Sequence, residues 1–136
     1  MNKQEQGKFA EDLARTYLES QNYRFLEANF YRRVGEIDLI MLAPDSTPMQ
    51  RSIVFVEVRY RSRTDYGGAL ASIDWAKQRK LRRAALAWLQ KYASSRDFAR
   101  IDVIALEPIE CNRPQDSVVW KQHNLTWIEN AVQETT

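Results

Sequence analysis

Two stretches decide how this chain is read: Gly35-Glu36-Ile37-Asp38-Leu39-Ile40-Met41-Leu42 and Ser52-Ile53-Val54-Phe55-Val56-Glu57-Val58-Arg59-Tyr60. Both are strand-length runs of β-branched and aliphatic residues, and the segment Ala-Pro-Asp-Ser-Thr-Pro (43–48) between them has turn composition. Both also carry acids among apolar neighbours. Alternation puts Glu36 and Asp38 on one face, opposite Ile37, Leu39 and Met41; it puts Glu57, Arg59 and Arg61 together, opposite Val56, Val58 and Tyr60. An unpaired carboxylate is costly to bury, so Asp38 needs a partner or a metal. If the strands are neighbours, Asp38 and Glu57 converge on one hard divalent cation such as Mg²⁺ or Mn²⁺. The competing arrangement is an ion-pair network in which Arg59 and Arg61 neutralise the two acids without metal.

Working outward, residues 4–20 show helical periodicity through Phe9, Ala10, Leu13, Ala14, Tyr17 and Leu18, stopped by Gln21-Asn22. Tyr23–Phe30 reads as a strand, so with Glu36–Leu42 and Ser52–Tyr60 it makes an antiparallel meander. Arg61–Ser72, with Gly67-Gly68, reads as a loop leading to a helix capped near Ser72 or Asp74. Over Trp75–Tyr92 the residues Leu81, Ala84, Ala85, Trp88, Leu89 and Tyr92 fall at helical spacing. Phe98–Leu106 reads as a fourth strand, parallel to the third because a long helix joins them. A short strand at Val118–Lys121 and a final helical turn over Trp127–Val132 complete the expectation. The fold class is α/β: a three-layer sandwich on a mixed central sheet, with core order αβββαβ. Its 136 residues suit one domain, with a core over about 4–107 and a C-terminal extension over 108–136.

The net charge of +2 conceals an uneven distribution. Residues 59–100 hold eleven Lys or Arg against three acids, a net +8, and the rest holds nine against fifteen, a net −6. Lys77, Arg79, Lys80, Arg82 and Arg83 crowd into one helix. Such a patch attracts a polyanion, and the plainer alternative is a solvated helix face. Cys111 is the only cysteine and His123 the only histidine, which excludes an internal disulfide and a multi-histidine metal site. His123 is expected to be structural or exposed. There is no nucleotide-binding glycine loop, no signal-peptide stretch and no apolar run of membrane-spanning length, so a cytoplasmic location is expected.

Glu-Ile-Asp-Leu-Ile followed by Val-Phe-Val-Glu-Val-Arg, after a helix running through Gly7 to Glu11 and before Phe98 to Ile104, resembles the YraN-like family of bacterial proteins over most of the chain. That family looks like a branch of the PD-(D/E)XK, or restriction-endonuclease-like, nuclease superfamily, near the archaeal Holliday junction resolvases. The resemblance implies that Glu11 is the first-helix carboxylate, Asp38 the Asp of the motif, Glu57 its second acid, and Arg59 the residue standing where the superfamily usually has Lys. Glu11, Asp38 and Glu57 would then hold Mg²⁺ or Mn²⁺. Arg59 departs from the pattern, because an arginine stays protonated and cannot act as a general base, although it can stabilise a phosphate. Lys77 is a candidate stand-in for the missing lysine and otherwise a surface base.

The function expected is a metal-dependent nuclease acting on DNA rather than RNA, on branched or single strands, with Arg61, Lys77, Arg79, Lys80 and Arg83 as phosphate contacts. The alternative is a nucleic-acid-binding protein of the same fold with little or no catalysis. The resemblance to the resolvases also makes a homodimer an expectation. Tyr60, Tyr66 and Trp75 are either base-stacking or locally packed, and Asp102 is a supporting carboxylate or a partner for Arg59 or Arg100.

Overall fold

The computed structural model describes residues 1–61, 73–109 and 116–132. The expected loop 61–72, with Gly67-Gly68, Tyr66 and the Ser72 cap, lies beyond Arg61 outside the described residues, as does Cys111.

Helix α1 spans Lys3–Ser20. Asn2 caps it by accepting the Glu5 N–H at 2.8 Å, one of the first turn's otherwise orphaned donors, and its amide donates to Glu5 Oε1 at 3.2 Å. Strands β1 (Arg24–Arg32), β2 (Gly35–Leu42) and β3 (Ser52–Tyr60) follow. They are antiparallel neighbours, as expected. Helix α2, Trp75–Tyr92, is capped by Asp74, which accepts the Lys77 N–H at 2.8 Å. It crosses over to β4, Phe98–Pro108, which runs parallel to β3 from Ser52↔Phe98 to Tyr60↔Leu106.

The segment after Pro108 supplies β5 (Val118–Trp120) and β6 (His123–Ile128), giving a six-stranded sheet of order β1-β2-β3-β4-β6-β5. The expected helical turn over Trp127–Val132 is therefore wrong. Leu125 is 1% exposed, and Asn124, Leu125, Thr126 and Trp127 alternate between faces as a strand paired to β4. The run is short, and only Leu125, Trp127 and Ile128 of its six residues are apolar, so a period of two does not stand out.

Strand parity divides the core in two. Ile53, Phe55, Ile101 and Val103 pack with Leu81, Ala84, Ala85 and Trp88 of α2. Val54, Val56, Ile104 and Leu106 pack with Ala10, Leu13, Ala14 and Leu18 of α1. The sheet is thus buried on both faces between two helical layers, the three-layer sandwich expected, and each large aliphatic side chain so buried contributes about 1.5–3 kcal/mol.

One approach fixes α2 against the start of β2. A Cβ added to Gly35 would lie 2.4 Å from the Lys80 carbonyl oxygen and 2.9 Å from its carbon. Only glycine lets the strand pass so close to the helix backbone.

Candidate functional site

The sheet forks where the acids sit. Pairing between β2 and β3 runs from Leu42↔Ile53 to Leu39↔Val56 and ends there. Beyond it, β2 stays with β1 as far as Gly35↔Arg32 while β3 stays with β4. Asp38 is the first residue of the fork. Its Oδ2 accepts the Val58 N–H at 2.8 Å, so the carboxylate takes a backbone donor of β3 that pairing to β2 leaves free.

The fork also corrects the simple alternation read from sequence. Leu39 and Met41 do face the α1 layer, but Ile37 packs in the α2 layer with Ile40 and Leu42. Asn29 on β1, between the partners of Ile37 and Leu39, has φ of 55°. This left-handed residue bends the strand where the facing pleat changes hand.

Glu57 is 4% exposed and lies on the face of β3 that looks toward α2. Lys77 Nζ reaches to 3.0 Å from its Oε2, and Arg59 Nη2 to 3.9 Å. Among the described residues neither cation is aligned to hydrogen-bond that oxygen, nor does Arg59 Nε find an acceptor. Burial, and then the Glu57 carboxyl beside it, push the Asp38 carboxyl up to about 9. Two carboxyl groups therefore share this place with one lysine close by, and burial beside Glu57 favours the protonated form of Asp38.

Glu11 projects from α1 toward the same fork, where burial raises its pKa, the Asn29 side chain lowers it, and the charges of Glu36, Asp12 and Glu57 raise it again. It also lines an open groove of about 780 Å³ with Lys3, Lys8, Arg15, Asn29 and Glu36. Asp12 is exposed, as the helical geometry predicts.

A buried carboxylate oxygen without a hydrogen bond, beside a second carboxyl, fits a hard divalent cation. The fit is to two acids with the rest of the shell supplied from outside the chain. Among the described residues no three of Asp, Glu, His or Cys form a ready-made cage, so Glu11 stands near the pair without closing a triad.

Of the expected phosphate contacts, Arg79, Lys80 and Arg83 are exposed on α2 and pair with no acid among the described residues. Arg61 continues β3 by donating its N–H to the Leu106 carbonyl at 3.0 Å, and its guanidinium donates to the Tyr60 carbonyl at 3.2 Å. Tyr60 packs in the α1-side core. It lies 5.9 Å from His123, whose ring is also 5.7 Å from Phe9; these contacts give the histidine its packing role. Trp75 is 57% exposed under the Arg82 guanidinium.

Asp102 turns out to partner Arg100 and not Arg59. It is wholly buried and accepts from Arg100 Nε at 3.0 Å, Trp127 Nε1 at 2.9 Å and the Asn130 N–H at 2.8 Å. It pins the chain after β6 to the sheet.

Sequence reasoning missed three polar residues on the α2 side of the sheet, Glu107, Asn124 and Thr126, all less than one-tenth exposed. Their signal was parity: Glu107 is an even number of positions from Val103 and Ala105, and so it shares their face.

Fold and fork together define a three-layer α/β protein with paired carboxylates where two central strands part. The chain belongs to the uncharacterised protein family UPF0102, the YraN-like family, whose model matches residues 10–106. It is similar to a UPF0102 protein of Aliivibrio salmonicida, 41% identical over 135 residues, which cover 98% of this chain and 95% of the relative. It is also similar to UPF0102 proteins of Halorhodospira halophila, 41% identical over 96% of this chain and 88% of the relative, and of Photobacterium profundum, 37% identical over 92% and 93%.

Proposed function

We propose that this protein is a divalent-metal-dependent nuclease that hydrolyses phosphodiester bonds in DNA at the fork between β2 and β3. The observation that carries the reading is the Asp38–Glu57 pair: two carboxyl groups crowded together, one raised to about 9 and the other with a buried oxygen lacking a hydrogen bond.

Asp38 and Glu57 would hold Mg²⁺ or Mn²⁺, with Glu11 beside them, and the bound cation supplies Lewis-acid stabilisation of the phosphate's charge. The chain's own groups do the rest. The Val58 N–H fixes the Asp38 carboxylate in place. Arg59, whose Nε has no acceptor among the described residues, can bind a non-bridging phosphate oxygen and offset charge that grows toward the transition state. Lys77, on the rim of the site, can orient the attacking water and take its proton, and the second of these is a part that Arg59 cannot play. Arg61, Arg79, Lys80 and Arg83 meet flanking phosphates, each such contact adding about 0.9 to the salt slope of duplex binding.

The test is cleavage of linear, flapped and four-way DNA in Mn²⁺ by the wild type and by Asp38→Ala. Cleavage by the wild type alone supports the reading, and equal activity in the two preparations would sink it. A second reading, DNA binding without turnover, draws on Arg59 in the usual lysine position. It predicts that DNA is bound at low salt, that nothing is cut, and that calorimetry detects no specific Mn²⁺ binding.

A further inference from the structure

The groove along α1 contains a residue that the fold does not explain. Its helical wall presents Lys3, Gly7, Glu11 and Arg15, each four residues from the last and therefore on one ridge of the helix. Gly7 is a notch in that ridge. It is exposed, and a Cβ built on it meets nothing within 4 Å, in contrast to Gly35. Glycine inside a helix costs stability relative to alanine, and here neither close packing nor a left-handed backbone requires it. What the bare position does allow is the close approach of another molecule's backbone.

The notch leads to the fork. Glu11 stands one turn beyond it, and Asn29 and Glu36, from β1 and β2, line the groove with it. Asn29 falls between the partners of Leu39 and Ile37, opposite Asp38, and its side chain hydrogen-bonds Glu11. From Lys3 to Glu11 the helix rises about 12 Å, the rise of three or four nucleotides of one strand at about 3.4 Å each. Lys3 and Lys8 line the same groove and pair with no acid among the described residues. Arg15 is engaged already, 3.5 Å from Glu19 and over the Phe25 ring.

Charge sets the condition for filling the groove. Four acids line it against three cations, so on its own it does not attract phosphate. A divalent cation held at the fork beside Glu11 turns that balance positive.

We propose that one strand of a nucleic acid lies in this groove, its phosphodiester backbone against Gly7 and its phosphates at Lys3 and Lys8, and passes from there to the carboxylates at the fork. This rests on the nuclease reading above and adds the route by which the strand reaches the site. Gly7 is a contact point, kept bare for the strand and not for the fold.

The experiment measures binding of a fluorescein-labelled oligothymidylate to the full chain by anisotropy, in EDTA and in Ca²⁺, a hard cation that takes oxygen ligands. Gly7→Ala and Gly7→Gln fill the notch to two depths. Both should melt at or above the wild type, because each residue forms helix better than glycine, so a loss of binding cannot be put down to a loss of folding. The wild type is expected to bind about tenfold more tightly in Ca²⁺ than in EDTA. Gly7→Gln should lose most of that gain and Gly7→Ala a smaller part, while Lys8→Ala should lower the salt slope in Ca²⁺ by about 0.7, the weight of one phosphate contact on a single strand. A Gly7→Gln variant that is folded and keeps the full gain overturns the route, with the nuclease reading left standing. A wild type that gains nothing from Ca²⁺ overturns it too, and cleavage in Mn²⁺ then judges the nuclease reading separately. Failure to bind the strand in either condition at low salt removes both.

Discussion

Lys77 Nζ stands 3.0 Å from Glu57 Oε2, nearer than Arg59 on Glu57's own strand, which comes no closer than 3.9 Å. The helix therefore delivers the closer cation to the acid. Lys77→Ala is expected to lower stability by about 1–2 kcal/mol, less than the loss of a fully buried pair because the lysine side chain is 31% exposed. Cleavage by the same variant should fall by about 10²-fold, the weight of one positioned catalytic group. Lys77→Arg separates charge from chemistry: it should restore stability without restoring rate. Chemical denaturation and single-turnover cleavage read the two effects, and a Lys77→Ala variant that cuts at the wild-type rate would confine the lysine to a structural part.

Asp38 predicts an unusual pH dependence. Its carboxyl is held at about 9 when folded against about 3.9 in an unfolded chain. Between those values the folded state binds the extra proton, so in the metal-free protein this group makes stability fall as pH rises, by at most about 1.4 kcal/mol per pH unit. Asp38→Asn should remove that slope and melt above the wild type at pH values near 8. Mn²⁺ should reverse the wild-type trend, since its binding displaces the proton and tightens with pH. Calorimetry in two buffers of different ionisation enthalpy would detect the released proton, and the absence of any release at neutral pH would contradict the crowded-pair account.

Gly35→Ala tests the contact that sets the helix. The new Cβ would press on the Lys80 carbonyl group at 2.4 Å, and backbone cannot swing aside as a flexible side chain would. Overpacking of this kind costs about 1–3 kcal/mol. Thermal melting measures the cost. Gly7→Ala is the matched control, because nothing lies within 4 Å of its added Cβ, and it should be neutral or slightly stabilising as a helical glycine replaced by alanine.

Asp102→Ala should be the most damaging of these changes. It strips the acceptor from Arg100, Trp127 and the Asn130 N–H at once, at a cost of about 3–5 kcal/mol. Denaturant unfolding gives the figure, and loss of hydrogen-exchange protection in β6 and the residues after it would place the damage there. A cost below about 1 kcal/mol would show that the network carries no more than surface pairs do.

Much of this was legible in the chain itself. The two helices declare themselves because Leu81, Ala84, Ala85 and Trp88, like Ala10, Leu13, Ala14 and Leu18, fall at helical spacing, and the βαβ crossover follows from their order. Asp38 and Glu57 stand out because acids interrupt apolar strands. The fork was not legible: ending the pairing at Leu39↔Val56 depends on how three strands twist together, and no local spacing records it. The buried polar face of β4 and β6 was hidden for a similar reason. Glu107, Asn124 and Thr126 look like ordinary polar residues of a tail until register sets them beside Arg59. Lys77 lay between these cases, since its position on the helix edge was readable but its reach to Glu57 depends on how α2 packs against the sheet.

The hydrogen bond from Val58 to Asp38 gives the protein a reporter that no label need supply. A backbone amide donating to a carboxylate changes its chemical shift when that acid gains or loses a proton, or turns toward a new partner. Val58 lies within the sheet but faces the fork, so its signal should be sharp, slow to exchange and sensitive to one side chain. Whatever enters the site will therefore announce itself at a single peak in the amide spectrum.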